Sequence, residues 1–159
     1  MYVARKIPLT RPWMGDEEIR AVTDVLRSGM LVQGVRVAAF EALVAQKTGR
    51  AHAIAVDNGT GALVLGLQTL GIGPGDEVLC PGLTWPSPAH AILTLGATPV
   101  LVDVDPDEWN ATPQTMASAV TDRTRAAIVI DQFGAPVRTS LEQLGVPLVE
   151  DAACALGST

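Results

Sequence analysis

Apolar residues in the first third of the chain recur at the spacing of amphipathic helices. One such segment lies between Gly15 and Gly29, and its apolar positions are Ile19, Val22, Val25 and Leu26. A second lies between Gly34 and Gly49, with apolar positions Val37, Phe40, Leu43 and Val44. This spacing predicts two helices that end at glycines, joined by a loop over 30–34.

Short apolar runs alternate with helical patterns over the rest of the chain. The apolar runs are HAIAV, EVLC, PVLVDV, AAIVI and PLVE, and the helical patterns between them are TGALVLGLQTL, PAHAILTL, PQTMASAV and TSLEQL. Such alternation is typical of βαβ units. We therefore expect an α/β fold with three αβα layers around a mostly parallel sheet, and functional residues in the loops that follow the strands.

Composition excludes several classes of protein. The 159 residues are 48% hydrophobic and carry a formal charge of −6, which disfavours binding to nucleic acid. No apolar stretch is long enough to span a membrane, and MYVARKIPLTRPW lacks the apolar middle of a secretory signal, so we expect a cytoplasmic protein. Cys80 and Cys154 lack metal-type spacing and are interpreted as free thiols, with Cys80 buried. No metal site is predicted.

The first candidate site is the sequence DNGTGA at 57–62, between a predicted strand and a predicted helix. Backbone N–H groups and the helix dipole at such a position attract a phosphate, and Thr60 adds a hydroxyl donor. Gly59 and Gly61 equally suit an ordinary tight turn from a strand to a helix. Both interpretations stay open on this motif alone.

Two further candidate residues follow predicted strands. Trp85 lies in the loop after EVLCP, where its ring either stacks on a planar cofactor or packs in the core or at an interface. Asp151 closes the strand PLVE, where its carboxylate either pairs with a protonated pyridine nitrogen or caps a following helix. Glu150 alternates to the other side and is interpreted as a structural or solvated charge. Parallel strands end at one edge, so we expect the candidate residues to converge there.

Several long motifs, in one order along the chain, resemble the DegT/DnrJ/StrS sugar aminotransferases, which are fold-type-I pyridoxal phosphate enzymes. The segments that carry the resemblance are RPWMGDEEIRAVTDVLRSGMLVQGVRVAAFE, NGTGAL, GIGPGDEVLCPGLTWPSPAHAILTLGATPVLVDVDPDEWN and VPLVEDAACALGS. A nicotinamide-binding Rossmann domain is disfavoured, because it would need G-x-G-x-x-G where this chain has GTGALV.

The resemblance implies that the cofactor is pyridoxal 5'-phosphate. Gly59, Thr60 and Gly61 would hold its phosphate, Trp85 would cover one face of the ring, and Asp151 would bind the pyridine nitrogen. These roles agree with the placement of the same residues in loops after strands.

Two positions depart from the family pattern. Cys154 stands where the family usually has Gln or His beside the phenolic oxygen of the cofactor, and a thiol is a weaker donor. The crossover that contains TSLEQL is several residues shorter than the family's, which leaves barely two turns of helix.

The resemblance also implies the reaction, namely transfer of an amino group, usually from glutamate, to a keto group on a nucleotide-linked sugar. The alternatives are a dehydratase of the same family, with histidine at the lysine position, and a non-catalytic truncated fragment. The family's Schiff-base lysine would lie beyond Thr159, and neither Lys6 nor Lys47, the only lysines here, matches that position. We therefore assign no catalytic residue and expect the chain alone to be inactive.

The implied organisation is a helical segment over 1–50 that packs on an incomplete cofactor-binding large domain over 51–159, without the family's small carboxyl-terminal domain. The family's assembly is a homodimer, in which the loop over 30–34 would lie near the partner's active site.

Overall fold

The computed structural model describes residues 7–8, 10–137 and 139–158. Helix α1 spans Asp16–Ser28 and helix α2 spans Val35–Thr48, which confirms both predicted helices and the loop between them. Gly29 and Gly49 follow them with φ of 70° and 67°, the left-handed conformation that glycine adopts without strain. The backbone N–H groups of Glu18 itself and of Gly15 hold the pKa of the Glu18 carboxyl below its usual value.

The remaining regular elements form a parallel sheet with flanking helices. The helices are α3 (Gly59–Thr69), α4 (Ser87–Thr94) and α5 (Pro113–Ala117). The strands are β1 (Glu77–Pro81), β2 (Thr98–Val102), β3 (Thr124–Ile130) and β4 (Leu148–Asp151). The strand order is β2-β1-β3-β4, and every pair of neighbouring strands is parallel.

Side chains of the central strands alternate between two buried clusters. On β1, Val78 and Cys80 face the first cluster and Leu79 faces the second. Helices α3 and α4 close the first face with Leu63, Leu67, Ala91 and Ile92. The second face is closed by Met116 of α5 and by Leu141 of a 3₁₀ segment over Thr139–Leu144. Burial of each large apolar side chain stabilises by roughly 1.5–3 kcal/mol, so these clusters hold the three αβα layers together as expected.

A buried polar contact closes the amino edge of the sheet. Glu77, at the start of β1, is 5% exposed and forms an ion pair with Arg123. The hydroxyl of Thr121 donates a hydrogen bond to the same carboxylate. Thr124, also 5% exposed, accepts a hydrogen bond from the backbone N–H of Thr121 across 2.9 Å. The Glu77 carboxylate and the hydroxyls of Thr121 and Thr124 are therefore paired with groups of the same chain.

Three of the predicted elements differ in the structure. The run HAIAV at 52–56 is not a strand, because no described strand lies beside it to share backbone hydrogen bonds. The Ala55 N–H donates instead to the side chain of Glu41, at Oε1, across 2.8 Å, and Ile54 is 81% exposed. Helix α5 stops before the expected end of its pattern, where the Ser118 hydroxyl bonds the Thr115 carbonyl. The short TSLEQL crossover is a 3₁₀ segment.

Neither α1 nor α2 has a buried residue within the described chain. Of the apolar residues whose spacing predicted these helices, five are 60–64% exposed, namely Ile19, Val22, Leu26, Phe40 and Leu43. The division into 1–50 and 51–159 stays a prediction. In the described part of the chain, no helix is long and apolar enough to cross a membrane.

Candidate functional site

The amino-terminal ends of α3 and α4 meet at the carboxyl edge of the sheet. The end of α3 at Thr69 leads through a turn to the start of β1, so its beginning at Gly59 lies towards the opposite edge. Helix α4 begins directly after the loop that follows β1. The hydroxyl of Thr60 donates to the hydroxyl of Ser87 across 3.0 Å, which joins the two helix ends. Sequence analysis missed Ser87.

The first turn of α3 leaves backbone donors free. Asn58 Oδ1 accepts the Gly61 N–H at 2.8 Å and so caps the helix. The N–H groups of Gly59 and Thr60 have no acceptor among the described residues. A Cβ at Gly59 would meet nothing within 4 Å, whereas one at Gly61 would stand 2.7 Å from Asp57 Oδ1. Open space and two free donors at a helix end fit a phosphate, whereas a Cβ at Gly61 would require the Asp57 side chain to move.

Trp85 stands in the open beyond the end of β1. Its side chain is 78% exposed, which excludes the alternative of a core tryptophan within this chain. Gly82, at the start of the same loop, donates its N–H to the Val102 carbonyl across 2.9 Å and so keeps this loop against the end of β2. The indole is therefore available to a ligand or a partner on the edge where α3 and α4 begin.

Asp151 ends β4 at the same edge. In the parallel register it lies opposite Ile130, the last residue of β3, and its carbonyl accepts the Asp131 N–H at 3.1 Å. Asp151 Oδ1 accepts the Ala153 N–H at 3.2 Å within a turn, and no helix follows it in the described residues, so the alternative of a helix cap is not met here. Among the described hydrogen bonds the second carboxylate oxygen, Oδ2, has no donor, so it is free to accept one from a ring N–H.

The strand order sets the spacing between the two sides of the site. Strand β3 lies between β1 and β4, so the ends of β1 and β4 are two strand spacings, or about 10 Å, apart. Helix α3 lies over β4, because a Cβ at Gly66 would be 3.6 Å from Val149 Cγ1. The fold thus brings 59–61, Trp85 and Asp151 to one edge, with β3 between the last two.

A second group of residues at this edge was missed by sequence analysis. Asn110, which is 5% exposed, accepts the Gln132 N–H with Oδ1 at 3.0 Å and donates with Nδ2 to the Ala135 carbonyl at 2.8 Å. These partners lie 22 and 25 residues away in the chain, so no local pattern reveals them. Between them Phe133 has φ of 55°, a left-handed conformation that costs a non-glycine residue roughly 1–2 kcal/mol.

The two cysteines occupy contrasting environments. Cys80 is buried in β1, and burial raises the pKa of its thiol to about 11. Cys154 is exposed in the segment after Asp151, and its carbonyl oxygen lies 3.2 Å from the position that a Cβ on Gly134 would take. Both thiols are free, as expected.

Lys47 is exposed on α2, as expected, while Lys6 lies outside the described residues. The side chain of Lys47 nevertheless reaches the segment after β4. Its Cε lies 3.8 Å from the position that a Cβ on Gly157 would take. Within the described ranges, no group of three or more His, Cys, Asp or Glu residues is arranged to hold a metal ion.

Comparison with known proteins gives a family match over nearly the whole sequence. The model of the DegT/DnrJ/EryC1/StrS aminotransferase family matches residues 12–159. Apart from Arg11, the first residue of the first segment, this range includes all the segments that carried the resemblance.

Solved structures give a consistent picture. The chain is 39% identical to 3-amino-5-hydroxybenzoic acid synthase, with a TM-score of 0.89 over 98% of this chain and 42% of that one. It is 38% identical to S. venezuelae DesV, solved in complex with a ketimine intermediate, with a TM-score of 0.81 over 89% of this chain and 41% of that one. It is 31% identical to the PLP form of Spr1654 from Streptococcus pneumoniae, with a TM-score of 0.83 over 88% and 36%. The chain thus spans about two fifths of the length of these proteins.

Proposed function

Because the chain belongs to the DegT/DnrJ/EryC1/StrS aminotransferase family, we propose that it forms the cofactor-binding part of a pyridoxal-phosphate-dependent sugar aminotransferase. The amino donor is glutamate, and the acceptor is a keto group on a nucleotide-linked sugar. The observation that carries the proposal is the family match over 12–159, within which 59–61, Trp85 and Asp151 share the carboxyl edge of one parallel sheet.

The residues at this edge suit the parts of the cofactor. The free N–H groups of Gly59 and Thr60 would bind the phosphate at the start of α3, and the Thr60 hydroxyl would join them by turning its single proton from Ser87 to the phosphate. Trp85 covers one face of the ring and excludes water from it. Asp151 accepts a hydrogen bond from the protonated pyridine nitrogen and keeps that proton in place. When bound, the cofactor supplies an electron sink for the amino-group transfer.

Cys154 gives this site a thiol where the resemblance implies an amide or an imidazole. The thiol is exposed and follows Asp151 by three residues, which is consistent with contact to the phenolic oxygen. Because a thiol is a weak hydrogen-bond donor, it stabilises a negative charge on that oxygen less than glutamine or histidine would.

We also propose that the protein works as a homodimer in the cytoplasm. The apolar faces of α1 and α2 support a dimer, since side chains that are 60–64% exposed in one chain need a covering surface. The amino donor and the sugar nucleotide are the partners that the reaction requires, and neither nucleic acid nor a membrane takes part.

The 159-residue chain on its own is proposed to lack turnover, because neither Lys6 nor Lys47 matches the position of the family's Schiff-base lysine, and Lys47, the lysine within the described residues, lies on α2. The test is to mix it with pyridoxal 5'-phosphate, reduce with borohydride and map the labelled peptides by mass. We expect scattered, substoichiometric labelling and no 2-oxoglutarate from glutamate. Stoichiometric labelling of Lys47 together with turnover would contradict this, and Lys47→Gln is the matched control because Lys47 is the lysine that reaches the segment after β4.

The reaction itself is tested on the protein made from its complete gene, called the natural protein below. This protein is first loaded with pyridoxal 5'-phosphate. Glutamate should convert the cofactor to its amine form, with one 2-oxoglutarate released per site. A keto-sugar nucleotide should restore the starting absorbance and appear as the amino sugar by mass spectrometry. A cofactor that stays unchanged with glutamate and with other amino acids would contradict the proposal.

A further inference from the structure

We propose that Asn110 is a positioning residue for the cofactor site. Its side-chain amide fixes the loop over 132–135, which supports the segment carrying Asp151 and Cys154. The effect of Asn110 on cofactor binding rests on the proposed function, whereas the connection from Asn110 to Asp151 rests on contacts within this chain.

The amide of Asn110 spans a short and strained loop. Its Oδ1 accepts from the Gln132 N–H at 3.0 Å, and its Nδ2 donates to the Ala135 carbonyl at 2.8 Å. Between these two residues, Phe133 and Gly134 both have positive φ, 55° and 90°. A non-glycine residue persists in this conformation only where its surroundings over-determine it. The Asn110 amide supplies that constraint from both ends of the loop.

An aromatic contact adds to the same constraint. Trp109, the neighbour of Asn110, has φ of 62°, and its ring meets the Phe133 ring edge-to-face with centroids 5.5 Å apart. The Asn110 carbonyl accepts the Asp105 N–H at 2.9 Å, which closes the loop after β2 on itself. The loops after β2 and β3 are thus joined by a side-chain amide and a ring pair.

The loop over 132–135 also touches the segment after β4. The Ser158 hydroxyl donates to the Gly134 carbonyl at 3.1 Å, and a Cβ on Gly134 would stand 3.2 Å from the Cys154 carbonyl oxygen. Just before the loop, the Asp131 N–H donates to the Asp151 carbonyl at 3.1 Å. A shift of 132–135 would therefore disturb the backbone at Asp151 and in the segment 154–158 that follows it.

We assign Asn110 no direct contact with the cofactor. It is 5% exposed, and both ends of its amide are used by the backbone of the loop. Its influence must pass through Gly134 and Asp131 to Asp151, which makes it a positioning residue. Replacing a buried amide that is bonded at both ends is costly, because the backbone groups that it bonded are left buried without a hydrogen-bond partner.

The test compares the natural protein with Asn110→Ala, Asn110→Asp and a control, Thr124→Val. Asn110→Asp keeps the acceptor for Gln132 and loses the donor to Ala135. Thr124 is also 5% exposed and its hydroxyl also bonds backbone, but it lies at the amino edge of the sheet. Four quantities are measured: thermal stability, amide hydrogen exchange without cofactor, and the dissociation constant and circular dichroism of bound pyridoxal 5'-phosphate.

Both Asn110 variants are expected to speed exchange in 131–135 and 151–158, to weaken cofactor binding by about 10-fold and to change the circular dichroism of the bound cofactor. Thr124→Val should lower thermal stability while leaving all three site measurements within about 2-fold. Unchanged exchange in 151–158 in the Asn110 variants would overturn the inference, as would an equal effect of Thr124→Val. If the natural protein fails to bind the cofactor, the proposed function fails, while the exchange data still judge the link between Asn110 and 151–158.

Discussion

The hydroxyl of Thr60 at the start of α3 donates a hydrogen bond to the hydroxyl of Ser87 at the start of α4, across 3.0 Å. The bond holds two helix amino termini together at the carboxyl edge of the sheet, and both helix dipoles favour an anion there. We predict that this pair belongs to the phosphate site.

Thr60→Val should weaken binding of pyridoxal 5'-phosphate by about 10-fold, because it removes a hydroxyl donor and leaves Ser87 unpaired. Ser87→Ala should weaken it by about 2- to 5-fold, because it only loosens Thr60. Thr69→Val is the matched control, since that hydroxyl bonds the Gly66 carbonyl at the far end of α3. Affinity is measured by equilibrium dialysis, and an equal loss in Thr69→Val would contradict the assignment.

Alanine at Gly59 or Gly61 tests whether the phosphate lies against the first turn of α3. At Gly59 a Cβ has nothing within 4 Å, so Gly59→Ala should leave stability unchanged or slightly raised while obstructing the phosphate. At Gly61 a Cβ would stand 2.7 Å from Asp57 Oδ1, the end of an exposed side chain that can turn away, so Gly61→Ala should change stability by less than about 1 kcal/mol. Urea unfolding and cofactor dialysis together separate these effects. If Gly59→Ala bound the cofactor as tightly as the natural protein, the phosphate would have to lie away from Gly59.

Asp151→Asn should damage catalysis far more than folding. The substitution keeps the shape and the local bond to the Ala153 N–H but removes the charge that holds the proton on the ring nitrogen. Turnover of the natural protein should fall by about 10- to 100-fold. Glu150→Gln is the control, because Glu150 is exposed and alternates to the other side of β4. Unchanged turnover in Asp151→Asn with cofactor bound would remove Asp151 from this role.

The alternation of apolar runs with helical patterns was sufficient to predict the three layers and four of the five strands. The prediction of a strand at HAIAV was wrong because an apolar run becomes a strand only where a neighbouring strand shares its hydrogen bonds. Periodicity carries no information on that neighbour. The same limit applies to α5 and to the TSLEQL segment, whose short helical patterns were too weak to fix the helix type or its end.

The site residues divide in a similar way. Gly59 to Gly61, Trp85 and Asp151 follow predicted elements directly, so their shared edge was predictable from chain order. Ser87 and Asn110 were not, because each acts through a partner more than 20 residues away in sequence. Only the folded chain reveals such pairs. The roles of the site residues towards the cofactor stay predictions.

The buried thiol of Cys80 should make stability depend on pH in alkaline solution. Burial raises its pKa from 9.0 to about 11, so the unfolded chain releases this proton first. Stability is therefore full below pH 9 and falls as the pH rises towards 11, by up to about 2–3 kcal/mol. Urea unfolding of Cys80→Ala should lose this part of the pH dependence, whereas Cys154→Ser should retain it. If stability fell equally at alkaline pH in the natural protein and in both variants, Cys80 would not be the cause of the fall.

The most direct test is a crystal structure of the natural protein grown with pyridoxal 5'-phosphate. We predict that the phosphate accepts hydrogen bonds from the N–H groups of Gly59 and Thr60. We also predict that the ring lies against Trp85, with its nitrogen within hydrogen-bond distance of Asp151. A phosphate bound away from the start of α3, or an Asp151 carboxylate that does not contact the ring nitrogen, would contradict these predictions.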